Sequence, residues 1–135
     1  MSSSTCPEGL KAVSKILVVD DHIDLAENLA EILAVYGHDA VVAPSAEAGL
    51  IRIAVGDIHM LITDFRLPGR SGAQMIADLR HRHIQIPAVL ISAYTDDDTI
   101  AAALEAGALE VLAKPVDIQH LVPLVDRLVA TSPTA

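Results

Sequence analysis

The chain has 135 residues and a mass of 14.2 kDa, with 52% hydrophobic and 20% charged residues, which suits one globular domain burying about two-thirds of its unfolded surface and excludes a disordered chain. Eighteen acidic against nine basic residues give a net charge of −9, so the surface as a whole repels phosphate backbones and anionic lipids, and direct nucleic-acid binding is not expected. The single cysteine, Cys6, cannot close an internal disulfide, "MSSSTCPEGLKAVS" lacks the apolar core of a signal peptide, and no apolar run is long enough to span a membrane; a cytoplasmic location is the expectation.

Residues 1–14 read as a flexible Ser-rich tail with Pro7 and Gly9, residues 15–130 as the folded domain, and 131–135 as a short C-terminal tail. The first strand is expected over 15–20 (KILVVD), a continuous apolar run of the kind covered on both faces of a parallel sheet. A helix follows, with Leu25, Leu29, Ile32, Leu33 and Tyr36 at helical spacing and Gly37 as its stop. After a strand at 39–43, a second helix opens at Ser45 with Glu47 in its first turn and carries Ala48, Ile51 and Val55 on one side, ending at Gly56 and Asp57. Strands at 59–64, 86–92 and 109–113 alternate with helices over about 73–81, 96–106 and 117–129. Five β-then-α units in series imply right-handed crossovers and an open parallel sheet with helices on both faces.

Ligands in such sheets bind at the carboxyl ends of the strands, so the residues closing each strand carry the functional expectation. Those residues are Asp20 and Asp21, Asp64, Ser92 and Lys114. Adjacent carboxylates repel, and the strain is relieved by protonation, by spreading into solvent or by a cation. With Asp64 they make a hard-oxygen set of the type Mg²⁺ prefers. Ser92 supplies a hydroxyl donor and Lys114 a point charge for the oxygens of a phosphoryl group on a carboxylate.

Asp20-Asp21, Asp64 followed by "FRLPGRSG", "LISAY" around Ser92 and "LAKP" around Lys114 together resemble the receiver domain of two-component response regulators, over residues 15–129. The resemblance implies a flavodoxin-like three-layer α/β/α sandwich with a five-stranded parallel sheet of order 2-1-3-4-5. It implies Asp64 as phosphoacceptor, and Mg²⁺ held by Asp20, Asp21, Asp64 and the backbone carbonyl of Arg66. Ser92 would follow the phosphoryl group, Lys114 would pair with it, and the bond before Pro115 would be cis. The implied chemistry is self-catalysed phosphorylation and dephosphorylation rather than turnover of a conventional substrate. The implied partners are a histidine kinase or histidine phosphotransfer protein docking at the first helix, a downstream protein target, and a second copy through helix 4, strand 5 and helix 5, where Val122, Val125 and Val129 are candidates both for that face and for the core. Arg66 and Tyr94 flank the phosphoryl site in the family, where their bulk is expected to slow hydrolysis.

The sequence departs from the family at Val111, three residues before the lysine, where many members carry Tyr or Phe that changes rotamer on activation. A valine offers no ring to swing but leaves room for the Ser92 loop to shift. Several other readings stand beside this one. The chain also resembles receivers fused to hybrid kinases, and a pseudo-receiver would keep the fold as a binding module without phosphorylation. A flavin carrier is disfavoured because two aspartates after the first strand repel the flavin phosphate. An aspartyl phosphatase would need a further acid or base and a substrate cap. His81 and His83, two apart on a helix, point away from each other and read as solvent-facing. Asp96, Asp97 and Asp98 read as a cap and first turn favoured by the helix dipole.

Overall fold

The computed structural model describes residues 14–131. Strands and helices alternate as β1 (Ser14–Val19), α1 (Ile23–Val35), β2 (His38–Ala43), α2 (Ala46–Ala54), β3 (Met60–Asp64), α3 (Gly72–His81), β4 (Ala88–Ser92), α4 (Asp97–Ala106), β5 (Glu110–Ala113) and α5 (Ile118–Thr131). The tails expected over 1–14 and 131–135 lie outside the described residues, except for Ser14, which pairs with His38, and Thr131, which ends α5. The strands pair in parallel in the order β2-β1-β3-β4-β5, the flavodoxin-like arrangement.

Alternation along the strands divides the interior into two layers, because successive side chains leave a strand on opposite faces. Ile16, Val18, Met60, Ile62, Val89 and Ile91 pack with Ala26 and Leu33 of α1 and with Leu121, Leu124, Val125 and Leu128 of α5. Leu17, Val19, Leu61 and Leu90 pack instead with Leu50 and Ile53 of α2, Met75, Ile76 and Leu79 of α3, and Ala103 of α4. Val122 and Val125 are buried and Val129 packs against the α1/α5 layer, so the core takes them. Among the described residues no helix is long and apolar enough to cross a membrane.

Two helix faces differ from the sequence expectation. Leu25 of α1 and its C-cap residue Tyr36 are 57% and 53% exposed, whereas Leu33 of the expected face is buried beside Ala26 and Leu29 packs against the same layer. In α2 the expected face holds only at Ala48, which packs against the α2/α3/α4 layer. Ile51 and Val55 are exposed, and Ala46, Gly49, Leu50 and Ile53 are buried, an i, i+3, i+4, i+7 stripe. Side-chain size hid it: a Cβ on Gly49 would stand 2.7 Å from Met75 Cε and 3.0 Å from Val19 Cγ2, so the contact that seats α2 is made by the smallest residue.

The ends of the helices follow local chemistry. Ser45 caps α2 by accepting from the Ala48 N–H, and Ser71 with Gln74 forms a reciprocal capping box on α3. Asp96 stands at the N-cap of α4, but its carboxylate accepts from the Thr99 hydroxyl at 2.6 Å and makes no backbone cap bond. His83 lies beyond the helix expected to carry it together with His81. α3 ends at His81, and His83 takes φ +62° in a left-handed closure in which its N–H donates to Arg80 O and the Ile84 N–H to Leu79 O. Both histidines are exposed.

Candidate functional site

Register gathers the site. Val19 stands beside Thr63, Asp64 beside Ile91 and Ser92 beside Ala113, so the residues closing β1, β3, β4 and β5 meet on one edge, where the strand order turns back between β1 and β3. Backbone bonds carry the ladder past the strand ends. The Phe65 N–H donates to Ile91 O at 2.8 Å, the Lys114 N–H to Ser92 O at 2.9 Å and the Asp20 N–H to Ala43 O at 3.1 Å.

Asp64, the last residue of β3, is 7% exposed. Lys114 Nζ donates to its Oδ2 at 3.1 Å. Burial pushes the Asp64 carboxyl above the ordinary aspartate range, and Asp20 adds to that; Lys114 and the Arg66 N–H pull against them without cancelling the rise. A buried carboxylate with a second one beside it is a place where added positive charge is favourable. The backbone of Asp64 is held from α3 as well. Gly72 packs so closely that a Cβ there would collide with the Asp64 carbonyl oxygen, and its N–H donates to Phe65 O at 2.7 Å.

Asp20, Asp21, His22 and Asp64 each offer a ligand atom, all within 4.8 Å of one another. Asp20 is fixed by accepting the His22 N–H at 2.9 Å, and Asp21 faces more solvent. Three carboxylates within reach of one ion, one of them buried and the others partly open to water, fit the few protein ligands and several waters that Mg²⁺ takes.

Beside them a cleft of about 180 Å³ is lined by Asp21, His22, Asp64, Arg66, Ser92, Ala93, Tyr94 and Lys114. Ser92 is buried, and its Oγ accepts the Tyr94 N–H at 3.0 Å, which leaves the hydroxyl proton to donate. The Arg66 guanidinium lies 4.8 Å from the centre of the Tyr94 ring, a cation–π contact that makes the outer wall. Val111 on β5 packs against the α2/α3/α4 layer, so no aromatic stands at that position. The Lys114–Pro115 peptide is cis. On the other side of Asp20, Asp64 and Lys114, an apolar groove of about 590 Å³ runs along Leu25, Leu29, Ile32, Pro115, Val116 and Ile118.

All five strand-end residues therefore converge, with Arg66 and Tyr94 at the rim. Two residues went unnoticed in the sequence. His22 directly follows the aspartates, which was signal enough to consider it. Gly72 closes a Ser71-Gly72 pair that reads only as a turn.

The chain is similar to known proteins over most of its length. Residues 16–126 match the family model of the response regulator receiver domain. Response regulator protein FleR of Pseudomonas aeruginosa is 35% identical over 114 residues, 84% of this chain and 24% of the relative. The response regulator receiver protein Anae109_2439 of Anaeromyxobacter is 36% identical over 110 residues, 82% of this chain and 46% of the relative. The chain thus spans from about a quarter to just under half of the length of these relatives. Among solved structures, a response regulator receiver protein from Pseudomonas putida superposes with a TM-score of 0.82 at 31% identity, covering 87% of this chain and 98% of that one.

Proposed function

The chain belongs to the response regulator receiver domain family, and from that premise we propose that it accepts a phosphoryl group from a phosphohistidine donor onto Asp64 and signals through protein contacts that depend on that group. The observation that carries the proposal is the buried Asp64 carboxylate with Lys114 Nζ at 3.1 Å and the Asp20 and Asp21 carboxylates alongside. In this reading an Asp64 oxygen attacks phosphorus, the P–N bond to the donor imidazole breaks, and the imidazole leaves. Lys114 and the hydroxyl of Ser92 bind the phosphoryl oxygens, so positioning and charge stabilisation do most of the catalysis.

Asp20, Asp21, Asp64 and the carbonyl of Arg66 would hold Mg²⁺, which when bound neutralises charge on the phosphoryl oxygens. Phosphorylation adds negative charge and acceptors that draw Ser92 inward. Ser92 then gives up the Tyr94 N–H, and the segment leading into α4 moves without an aromatic swing at Val111. Arg66 over Tyr94 narrows the approach of water and lengthens the life of the phosphoaspartate.

Docking of the histidine kinase or phosphotransfer protein at α1 is supported by the groove along Leu25, Leu29 and Ile118, which opens beside Asp20 and Asp64. The exposed Leu104 and Leu109 support a homodimer through α4, β5 and α5.

The test is incubation with Mg²⁺ and acetyl phosphate, followed by intact mass. One phosphoryl adduct that needs Mg²⁺ and is lost in Asp64→Asn is the expected result. No adduct, with no Mg²⁺ binding, would make the chain a pseudo-receiver.

A further inference from the structure

His22 stands at the N-cap of α1 yet makes no side-chain cap bond. The imidazole is 66% exposed and turned back toward the aspartates, with Nδ1 3.4 Å from Asp20 Oδ1 and 3.3 Å from Asp21 Oδ1. These separations are long for hydrogen bonds. They are close to what one cation requires, since ligand bonds of about 2.1 Å put neighbouring donors of an octahedron about 3 Å apart and opposite ones about 4.2 Å apart. The ligand atoms of Asp20, Asp21, His22 and Asp64 all fall within 4.8 Å of one another.

We propose that His22 is a ligand, through Nδ1, to the divalent cation of the acidic pocket, and that it tunes the site toward borderline ions such as Mn²⁺ and Co²⁺ over Mg²⁺. The inference rests on the reading of that pocket as a cation site. An all-oxygen set suits Mg²⁺, which gains little from a nitrogen donor. An imidazole strengthens binding progressively along the first transition series, so one added nitrogen separates ions that carboxylates treat more alike. The side chain is available for this role because helix capping does not use it.

The test compares wild type, His22→Ala, His22→Asn and Asp21→Asn. Mn²⁺ is titrated by electron paramagnetic resonance, Co²⁺ by its visible absorption, and Mg²⁺ by competition against Mn²⁺, with circular dichroism to verify folding. His22→Ala and His22→Asn are expected to weaken Mn²⁺ and Co²⁺ by about tenfold or more while Mg²⁺ changes less than twofold. The ¹⁴N modulation in pulsed resonance of the Mn²⁺-loaded wild type should vanish in both. Asp21→Asn should weaken all three ions, which locates them in this pocket. An unchanged ratio of affinities in the His22 variants, with wild type binding all three ions, overturns the role of His22 and leaves the cation site standing. Tighter binding of every ion in those variants also overturns it, since His22 would then be a competing cation. Failure of wild type to bind any of the ions overturns the cation reading itself.

Discussion

Lys114 Nζ donates to Asp64 Oδ2 at 3.1 Å across fifty positions of sequence, and this contact opposes the burial that holds the Asp64 carboxyl above its ordinary range. Lys114→Ala removes the opposing influence. The Asp64 carboxyl should then titrate higher still, which a carbon-detected NMR titration of the side-chain carboxyl reads directly. The same substitution removes a cationic donor from the phosphoryl oxygens, so the rate of adduct formation with acetyl phosphate should fall by about 100-fold or more. A downward shift of the carboxyl in Lys114→Ala would refute the assigned balance of burial against charge.

The same elevation of Asp64 makes stability depend on pH in a definite direction. A carboxyl raised on folding contributes stability that is fully present below its unfolded pKa and is lost as pH rises through the folded one. In the metal-free protein at neutral pH, Asp64→Asn should therefore raise the thermal midpoint, and the gap should close as the pH falls below about 3.9. Mg²⁺ should reverse the ranking. Ligand at a hundredfold excess over its Kd stabilises the wild type by about 2.7 kcal/mol, and Asp64→Asn should gain much less. Thermal melts across pH with and without Mg²⁺ would sink this account if the metal-free variant melted below wild type at pH 7.

The strands and the residues that close them were legible because a strand covered on both faces reads as an unbroken apolar run, and its first polar residue marks the edge where a parallel sheet binds ligands. KILVVDD carries both facts in seven letters. The faces of α1 and α2 were only partly legible from bulk hydrophobicity, which places Leu29, Leu33 and Ala48 on the core side and misplaces Leu25, Ile51 and Val55. Gly49 packs against Met75 while Ile51 is 72% exposed, an inversion that only the approach distance of α2 explains. Contacts between distant polar residues were silent too. Buried His38 meets Asp126 at 2.7 Å across 88 positions, and Arg80 ties Ile84 O and Gly107 O together at the α3/α4 junction. The His38–Asp126 and Arg80–Gly107 contacts have no local pattern, because packing of the finished fold creates them.

Gly72 couples the packing of α3 to the phosphoacceptor. Its N–H bonds Phe65 O at 2.7 Å, and a methyl group in place of its hydrogen would meet the Asp64 carbonyl together with Thr63 Cγ2 and Oγ1 at 3.1 Å. Backbone cannot step aside as a flexible side chain can. Gly72→Ala should cost about 1 to 3 kcal/mol by overpacking and should displace Asp64 from Lys114. Acetyl phosphate labelling should fall even at temperatures where circular dichroism shows the variant folded. Labelling at the wild-type rate would mean that the N-terminus of α3 moves freely relative to β3.

His83 tests backbone energetics apart from the site. It is exposed and holds φ +62° while its N–H and that of Ile84 close α3 onto Arg80 O and Leu79 O. A left-handed backbone costs an L-residue about 1–2 kcal/mol relative to its normal conformation, and glycine is free of that cost while losing more chain entropy on folding. The first effect is the larger here, since the exposed imidazole has no burial to forfeit. His83→Gly should therefore stabilise the protein by about 0.5–1 kcal/mol, and His83→Val, β-branched at the same angles, should destabilise it by at least as much. Urea unfolding of the three proteins measures both differences. The left-handed closure fails as an explanation if glycine and valine fall on the same side of wild type.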